Sequence, residues 1–241
     1  MPSNDGMQYS RRRFLIALGA LSCGVRTAIG ADAGLKIGTV GSGRIGGTLG
    51  ELWLKAGHEV MFSSLDLEHD KALAARLGGK ARAGSAREAA AFGEVLLVAV
   101  PYSALPQVGR ELAGLLDGKV VIDTCNPIPS RDGDIAARAR EKGAGLASAE
   151  LLPGARLVRG FNAIGYARMA SAAQQQRERI GMPIAGDDAL ALAIASRLVR
   201  EVGYEPVVVG PLAMGKYLMP GTPLAGEHTP AEIRQIVATL K

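Results

Sequence analysis

The sequence predicts an α/β protein, a Rossmann-like doubly wound, mostly parallel sheet with a small C-terminal extension. Three observations carry that expectation. Short apolar strands alternate with helical stretches from Leu35 onward. A glycine fingerprint, Gly41-Ser42-Gly43-Arg44-Ile45-Gly46, lies between the first strand and the first helix. The composition, with 32 Gly, 4% aromatic, 48% hydrophobic and 21% charged residues in 241, is that of a globular chain poor in rings. It excludes a disordered tail, a collagen-like fibre and a coiled coil, and argues against a base-stacking nucleic-acid binder.

The elements follow in order. Leu35 to Val40 reads as a strand, and the spacing of Leu49, Leu52, Trp53 and Ala56 as an amphipathic helix stopped by Gly57. His58 to Phe62 is a second strand, after which Asp66 is placed to cap a helix. Ser85 and Glu88 form a capping box. Glu94 to Val100 reads as a buried parallel strand ended by Pro101, with a helix running to about Leu116. Lys119 to Asp123 is a strand, Thr124 to Arg131 a loop, and Asp134 to Lys142 a helix. Strands at 157–161, 182–185 and 206–209 follow, the last two flanking a helix over 189–202. Thr229-Pro230-Ala231-Glu232 opens the final helix.

Residues 1–33 read as a targeting segment. Ser10-Arg11-Arg12-Arg13-Phe14-Leu15 leads into an apolar run too short to span a bilayer, and Ala31-Asp32-Ala33 offers small residues for cleavage. The pattern resembles a twin-arginine signal, which exports folded proteins through the twin-arginine translocation machinery, so the expected destination is the periplasm. Without this segment 24 basic and 21 acidic residues remain, a net charge of +3, which gives no nucleic-acid footprint. Cys125 is then the one cysteine, which excludes an internal disulfide, and three scattered His suggest no metal site. The expected organisation is a signal at 1–33, a dinucleotide-binding domain at 34–154, and an α/β portion at 155–241 that completes the sheet and the substrate crevice.

A strand, a glycine turn and a helix in one βαβ unit make a dinucleotide site. Gly41 makes the tight turn, Gly43 admits a pyrophosphate, and Gly46 lets the helix close on the strand, while the helix N-terminus directs N–H groups at the phosphates. In a doubly wound sheet, ligands lie beyond the carboxyl ends of the strands. Those ends carry Ser63-Ser64, Val100-Pro101, Asn126 and Asn162 to Ile164. An NAD site usually places a carboxylate directly after the second strand. Here two hydroxyls, Ser63 and Ser64, stand there, with Arg44 in the fingerprint as a nearby charge, a combination that favours NADP(H). Asn162 is the candidate for orienting a reacting group, with a helix-capping turn as the alternative.

The runs Lys36 to Gly46, Val100-Pro101, Asp123 to Pro127, Phe161 to Gly165, Gly186-Asp187-Asp188 and Gly210-Pro211-Leu212 occur in that order. Together they resemble the NADPH-dependent F420 reductase family over nearly all of residues 35–220. The resemblance implies hydride exchange between NADP(H) and a flavin-like acceptor such as F420 or a flavin. It also implies that Gly41, Ser42, Gly43, Arg44, Ile45 and Gly46 hold the adenosine phosphates with Ser63 and Ser64. Val100, Pro101 and Asn162 to Ile164 would then lie along the nicotinamide, and the apolar C-terminal segments imply a homodimer. Leu65 departs from the family, which often has Arg there.

The sequence carries no nucleophile elbow and no Ser-His-Asp order on strand ends. His58, His69 and His228 read as structural, and Cys125 as a small buried apolar residue. Hydride transfer between two cofactors tolerates this, because the cofactors supply the chemistry. Two other functions stay open: a reductase of a small carbonyl or imine, and a non-catalytic dinucleotide-binding module that senses redox state or serves a partner.

Overall fold

The computed structural model describes residues 34–172 and 179–240, so the expected twin-arginine signal at 1–33 lies outside the described residues. The first half of the chain forms β1 (Lys36–Val40), α1 (Arg44–Lys55), β2 (Glu59–Ser63), α2 (Leu67–Leu77), β3 (Ala81–Ala83), α3 (Ala86–Phe92), β4 (Val95–Val98), α4 (Leu105–Glu111) and β5 (Val120–Asp123). The second half forms α5 (Pro129–Asp132), α6 (Asp134–Lys142), α7 (Ala144–Leu151), β6 (Arg156–Arg159), α8 (Tyr166–Ala172), β7 (Gly181–Gly186), α9 (Ala189–Glu201), β8 (Glu205–Gly210) and α10 (Pro230–Thr239). All eight strands make one sheet in the order β3-β2-β1-β4-β5-β6-β7-β8. Pairing is parallel except between β6 and β7. The chain winds outward from β1 to β3 and then returns to β4 on the other side of β1. The strand order therefore reverses between β1 and β4, the place where such sheets bind ligands.

The middle of the sheet, β1 and β4 to β6, is buried on both faces, because alternate residues of these strands feed different cores. Ile37, Leu97, Ile122 and Val158 belong to one cluster, which includes Trp53 of α1 and Leu198 of α9. Val40, Leu96, Val98, Val121 and Leu157 belong to the other, with Tyr102, Leu105 of α4 and Ala147 of α7. Trp53 joins two helices, since its Nε1–H donates to the Leu198 carbonyl at 3.1 Å. A third cluster seats α10, through Ile233, on β7 and β8.

Caps appear where side-chain chemistry calls for them. Asp66 accepts from the His69 N–H, and Ser85–Glu88 and Thr229–Glu232 form reciprocal capping boxes. Gly57, at φ +100°, follows the end of α1. His58 is fully buried and structural: its Nδ1 accepts from the Leu35 N–H at 2.9 Å, and Nε2 faces Glu201 at 2.8 Å.

Several elements differ from expectation. The helix expected after Pro101 begins as a 3-10 turn at Tyr102–Ala104 and ends at Glu111, short of Leu116. Pro106 lies in the first turn of α4, and Gly114 at φ +77° lies in the turns that follow it. The edge strand β3 is three residues, Ala-Arg-Ala, with no apolar alternation to announce it. Helix α7 is built of small residues with little amphipathic pattern, because it packs closely. A Cβ on Gly145 would meet the Leu212 carbonyl oxygen at 2.1 Å.

Candidate nucleotide-binding site

The fingerprint residues meet at the end of β1, each for a different steric reason. Gly41 adopts φ +97°, and a Cβ there would meet the Ala99 carbonyl oxygen at 2.4 Å. Gly46 sits so close to the turn that a Cβ would lie 1.9 Å from the Gly41 oxygen. Gly43 is the reverse case: it is the exposed N-cap of α1, and a Cβ there would meet nothing within 4 Å. Two glycines are thus required by the protein's own packing. The third leaves open space in front of a twelve-residue helix whose first N–H groups have no side-chain cap. This arrangement fits a dinucleotide pyrophosphate. Ile45 packs against the core and anchors the first turn.

The turn after β2 differs from the sequence reading. Ser63 is fully buried, and its hydroxyl donates to the Thr39 carbonyl at 2.6 Å, so the structure turns it inward, away from a ribose phosphate. Alternation along the strand explains this. Phe62 and Ser63 are the last residues of β2 and both are enclosed, so the chain reaches the surface only at Ser64. The Ser64 hydroxyl donates at 2.9 Å to Asp70, a fully buried carboxylate in the first turn of α2 that also accepts from Ser42. Arg44 lies with its guanidinium 5.1 Å from the Tyr166 ring centre, held toward α8. Asp70 escaped the sequence reading because one acid on a polar helix carries no local signal.

Beyond β4, β5 and β6 lies the other half of the crevice. Val100 is half-buried against the second core, and the exposed Pro101 opens the 3-10 turn. Asn126 joins two strand ends, since its Nδ2 donates to the Asn162 carbonyl at 2.8 Å. Beneath it, Arg159 pairs with Asp123 at 2.6 Å with both side chains fully enclosed. The same guanidinium reaches the Cys125 carbonyl at 3.1 Å and the Asn126 Oδ1 at 3.3 Å. Gly215 makes room for it, since a Cβ there would meet Arg159 Cδ at 2.6 Å. Asp132 clamps the neighbouring loops by accepting from the Ser103 N–H at 3.3 Å and the Ile128 N–H at 3.0 Å.

Asn162 is 3% exposed, and neither its amide oxygen nor its amide nitrogen has a partner. The capping role considered for it is therefore not made. The preceding Phe161 has φ +62°, the one non-glycine residue with positive φ among those described. Such a conformation is costly for a bulky side chain and marks functional segments. Ile164 is 5% exposed and packs in the first core, so its side chain is fixed as structure. Cys125 is enclosed, and burial together with the Asp123 charge pushes its thiol well above the usual range. Burial raises the Tyr102 phenol to about 12, and the hydrogen bond with Ser148 offsets only part of that.

Residues 36–127 match the family described as NADP oxidoreductase, coenzyme F420-dependent. That stretch runs from β1 through the Asn126 loop and contains the fingerprint, the β2 turn and Val100-Pro101. The match covers this stretch and is a likeness to that family. No curated protein matches the chain. Among solved structures, a protein of unassigned function from Sinorhizobium meliloti is 22% identical, with a TM-score of 0.68 over 82% of this chain and 96% of its own. A protein provisionally named an F420-dependent NADP-reductase, from Arthrobacter sp. FB24, is 20% identical, with a TM-score of 0.62 over 76% of this chain and 88% of its own. An imine reductase from Myxococcus stipitatus in complex with NADP+ is 19% identical, with a TM-score of 0.51 over 74% of this chain and 56% of its own. At these identities the likeness is one of fold.

Proposed function

We propose that the chain transfers a hydride between NADP(H) and a flavin-like acceptor, either F420 or a flavin, including a flavin that passes electrons to ferric iron. When bound, the nicotinamide supplies or takes the hydride. The protein's part is to place two ring systems face to face and exclude water. The open Gly43 cradle would hold the pyrophosphate. The observation that carries the reading is Asn162, a buried amide with both ends unsatisfied at the carboxyl edge of the sheet. A buried polar group left without a partner costs about 1–3 kcal/mol, a cost that a ligand would remove. The strand ends named here bring amides, Asn126 and Asn162, while the Cys125 thiol is fully enclosed. Amides orient a group without exchanging protons, which suits a hydride acceptor with a conjugated ring better than a carbonyl that needs a proton donor.

The test is to follow nicotinamide absorbance with F420, FMN, FAD, ferric chelates and a cyclic imine in turn. Turnover with F420 or a flavin is expected. Turnover with the imine alone would move the assignment to imine reduction, a reading that the imine reductase fold likeness keeps in view. Nucleotide binding without any turnover would make the chain a sensing or partner module. For residues 1–33 the twin-arginine pattern supports export to the periplasm after folding in the cytoplasm. A homodimer, implied by the family resemblance, is testable by light scattering.

A further inference from the structure

We infer that Asp70 governs nucleotide selection at the ribose site, and that it does so by taking the hydrogens of Ser42 and Ser64. The inference rests on reading the groove between β1 and β2 as the nucleotide site. Asp70 is fully buried beneath both turns that frame the adenosine end of that groove. One carboxylate oxygen accepts from Ser42 in the fingerprint, the other from Ser64 after β2 at 2.9 Å. A serine hydroxyl has one hydrogen and two lone pairs. The Ser64 hydrogen has two acceptors, Asp70 at 2.9 Å and the Asp66 carbonyl at 3.1 Å, and the Asp66 N–H donates to Ser64 Oγ at 3.1 Å, so Ser64 has a lone pair left for a ligand and nothing to donate.

The two nucleotides differ at this point. A ribose 2′-hydroxyl can donate to a free lone pair, whereas a 2′-phosphate has only acceptor oxygens and negative charge and needs N–H, O–H or a cation. The cations nearby in sequence make other contacts in this structure. Arg44 lies over Tyr166, Lys71 pairs with Glu68 at 2.9 Å, and Arg82 with Glu59 at 3.4 Å. The next residue in the turn is Leu65, 105% exposed and uncharged. Ser63, the other expected donor, spends its hydrogen on Thr39. The site therefore offers acceptors and a buried charge where a strict NADP(H) site offers donors. It binds NADP(H) with little preference over NAD(H).

The experiment titrates the full chain with NADPH and NADH. Dissociation constants within tenfold of each other are expected for the wild type. Asp70→Asn removes the negative charge beneath both serines, and its amide nitrogen donates to one of them. The ratio is expected to shift at least tenfold toward NADPH. An unchanged ratio in a variant with an unaltered circular dichroism spectrum would overturn the inference. A second measurement needs no variant: 5′-AMP and adenosine 2′,5′-bisphosphate are expected to bind the wild type comparably. A hundredfold preference for the bisphosphate would overturn the inference even if Asp70→Asn does not fold. Failure of all four nucleotides to bind would overturn the reading of the groove itself, and this inference with it.

Discussion

The Arg159 guanidinium donates to the Asp123 carboxylate at 2.6 Å, and neither side chain is exposed. The pair lies under the loop that carries Asn126, so it sets the height of one crevice wall. Removing one partner of a buried pair strands the other charge and typically costs about 3–5 kcal/mol. Arg159→Met and Asp123→Asn should each destabilise the chain on that scale in urea unfolding. The double variant should lose clearly less than the sum, because the second change removes the stranded charge. Strictly additive losses would mean that the two residues act separately.

The glycine fingerprint divides into positions required by the fold and one, Gly43, whose Cβ would meet only open space, where the proposed pyrophosphate lies. Gly46→Ala should destabilise by about 1–3 kcal/mol or more, since its Cβ would collide with the Gly41 carbonyl. Gly43→Val should melt near the wild-type temperature, because its side chain meets open space, yet lose nucleotide binding. Normal NADPH binding by Gly43→Val would place the nucleotide elsewhere.

Asn162→Ala removes an amide that makes no bond within the protein. Relief of the unpaired amide offsets the small cavity left behind, so its unfolding free energy should stay within about 1–3 kcal/mol of wild type and not fall sharply. Hydride transfer should slow with little change in nucleotide affinity, as for an interaction felt mainly in the transition state. Pre-steady-state measurement with NADPH separates the two quantities. Unchanged transfer would remove Asn162 from the reacting face.

Asp132 gives the fold a pH dependence with a definite sign. Burial raises its pKa, but hydrogen bonds from Arg131 and from the Ile128 and Ser103 N–H groups outweigh that and bring it down to about 2 from an ordinary 3.8. A depressed carboxylate stabilises the folded state above its unfolded pKa, and that stability is lost as pH falls through the folded one. The melting temperature should therefore fall between about pH 4 and pH 2. Asp132→Asn should start lower at pH 5 and show a weaker fall. Parallel curves for the two proteins would exclude the clamp as the source.

A twin-arginine signal, the reading proposed for residues 1–33, is recognised by a receptor as a pair and not by charge alone. Arg11→Lys with Arg12→Lys keeps the charge, and should leave the protein in the cytoplasm on fractionation. Normal export of that variant would make the segment an ordinary signal.

Fingerprint, strand alternation and caps were legible because each is a local pattern. Gly41 to Gly46, the apolar runs of β1, β2, β4 and β5, and the Ser85–Glu88 and Thr229–Glu232 boxes all involve residues a few positions apart. The missed parts are long-range. Asp70 meets Ser42 across 28 positions, and Arg159 meets Asp123 across 36. The inward turn of Ser63 has a related cause. Whether a residue at a strand end faces in or out depends on where the strand leaves the sheet, and Ser63 is still in it. Helix α7 gave no signal because residues chosen for close approach lack the apolar stripe that marks an ordinary amphipathic helix.

Trp53 is the one tryptophan in the chain, it is fully buried, and its indole bridges α1 to α9. The helix that carries it begins at the phosphate turn. The protein thus has an internal optical reporter with a single emitting site: its emission should be blue-shifted in the folded state and shift red when α1 parts from α9. A reduced nicotinamide absorbs where indole emits, so a nucleotide seated at the start of α1 would quench this one donor by energy transfer, and binding and unfolding could be followed in the same sample without a label.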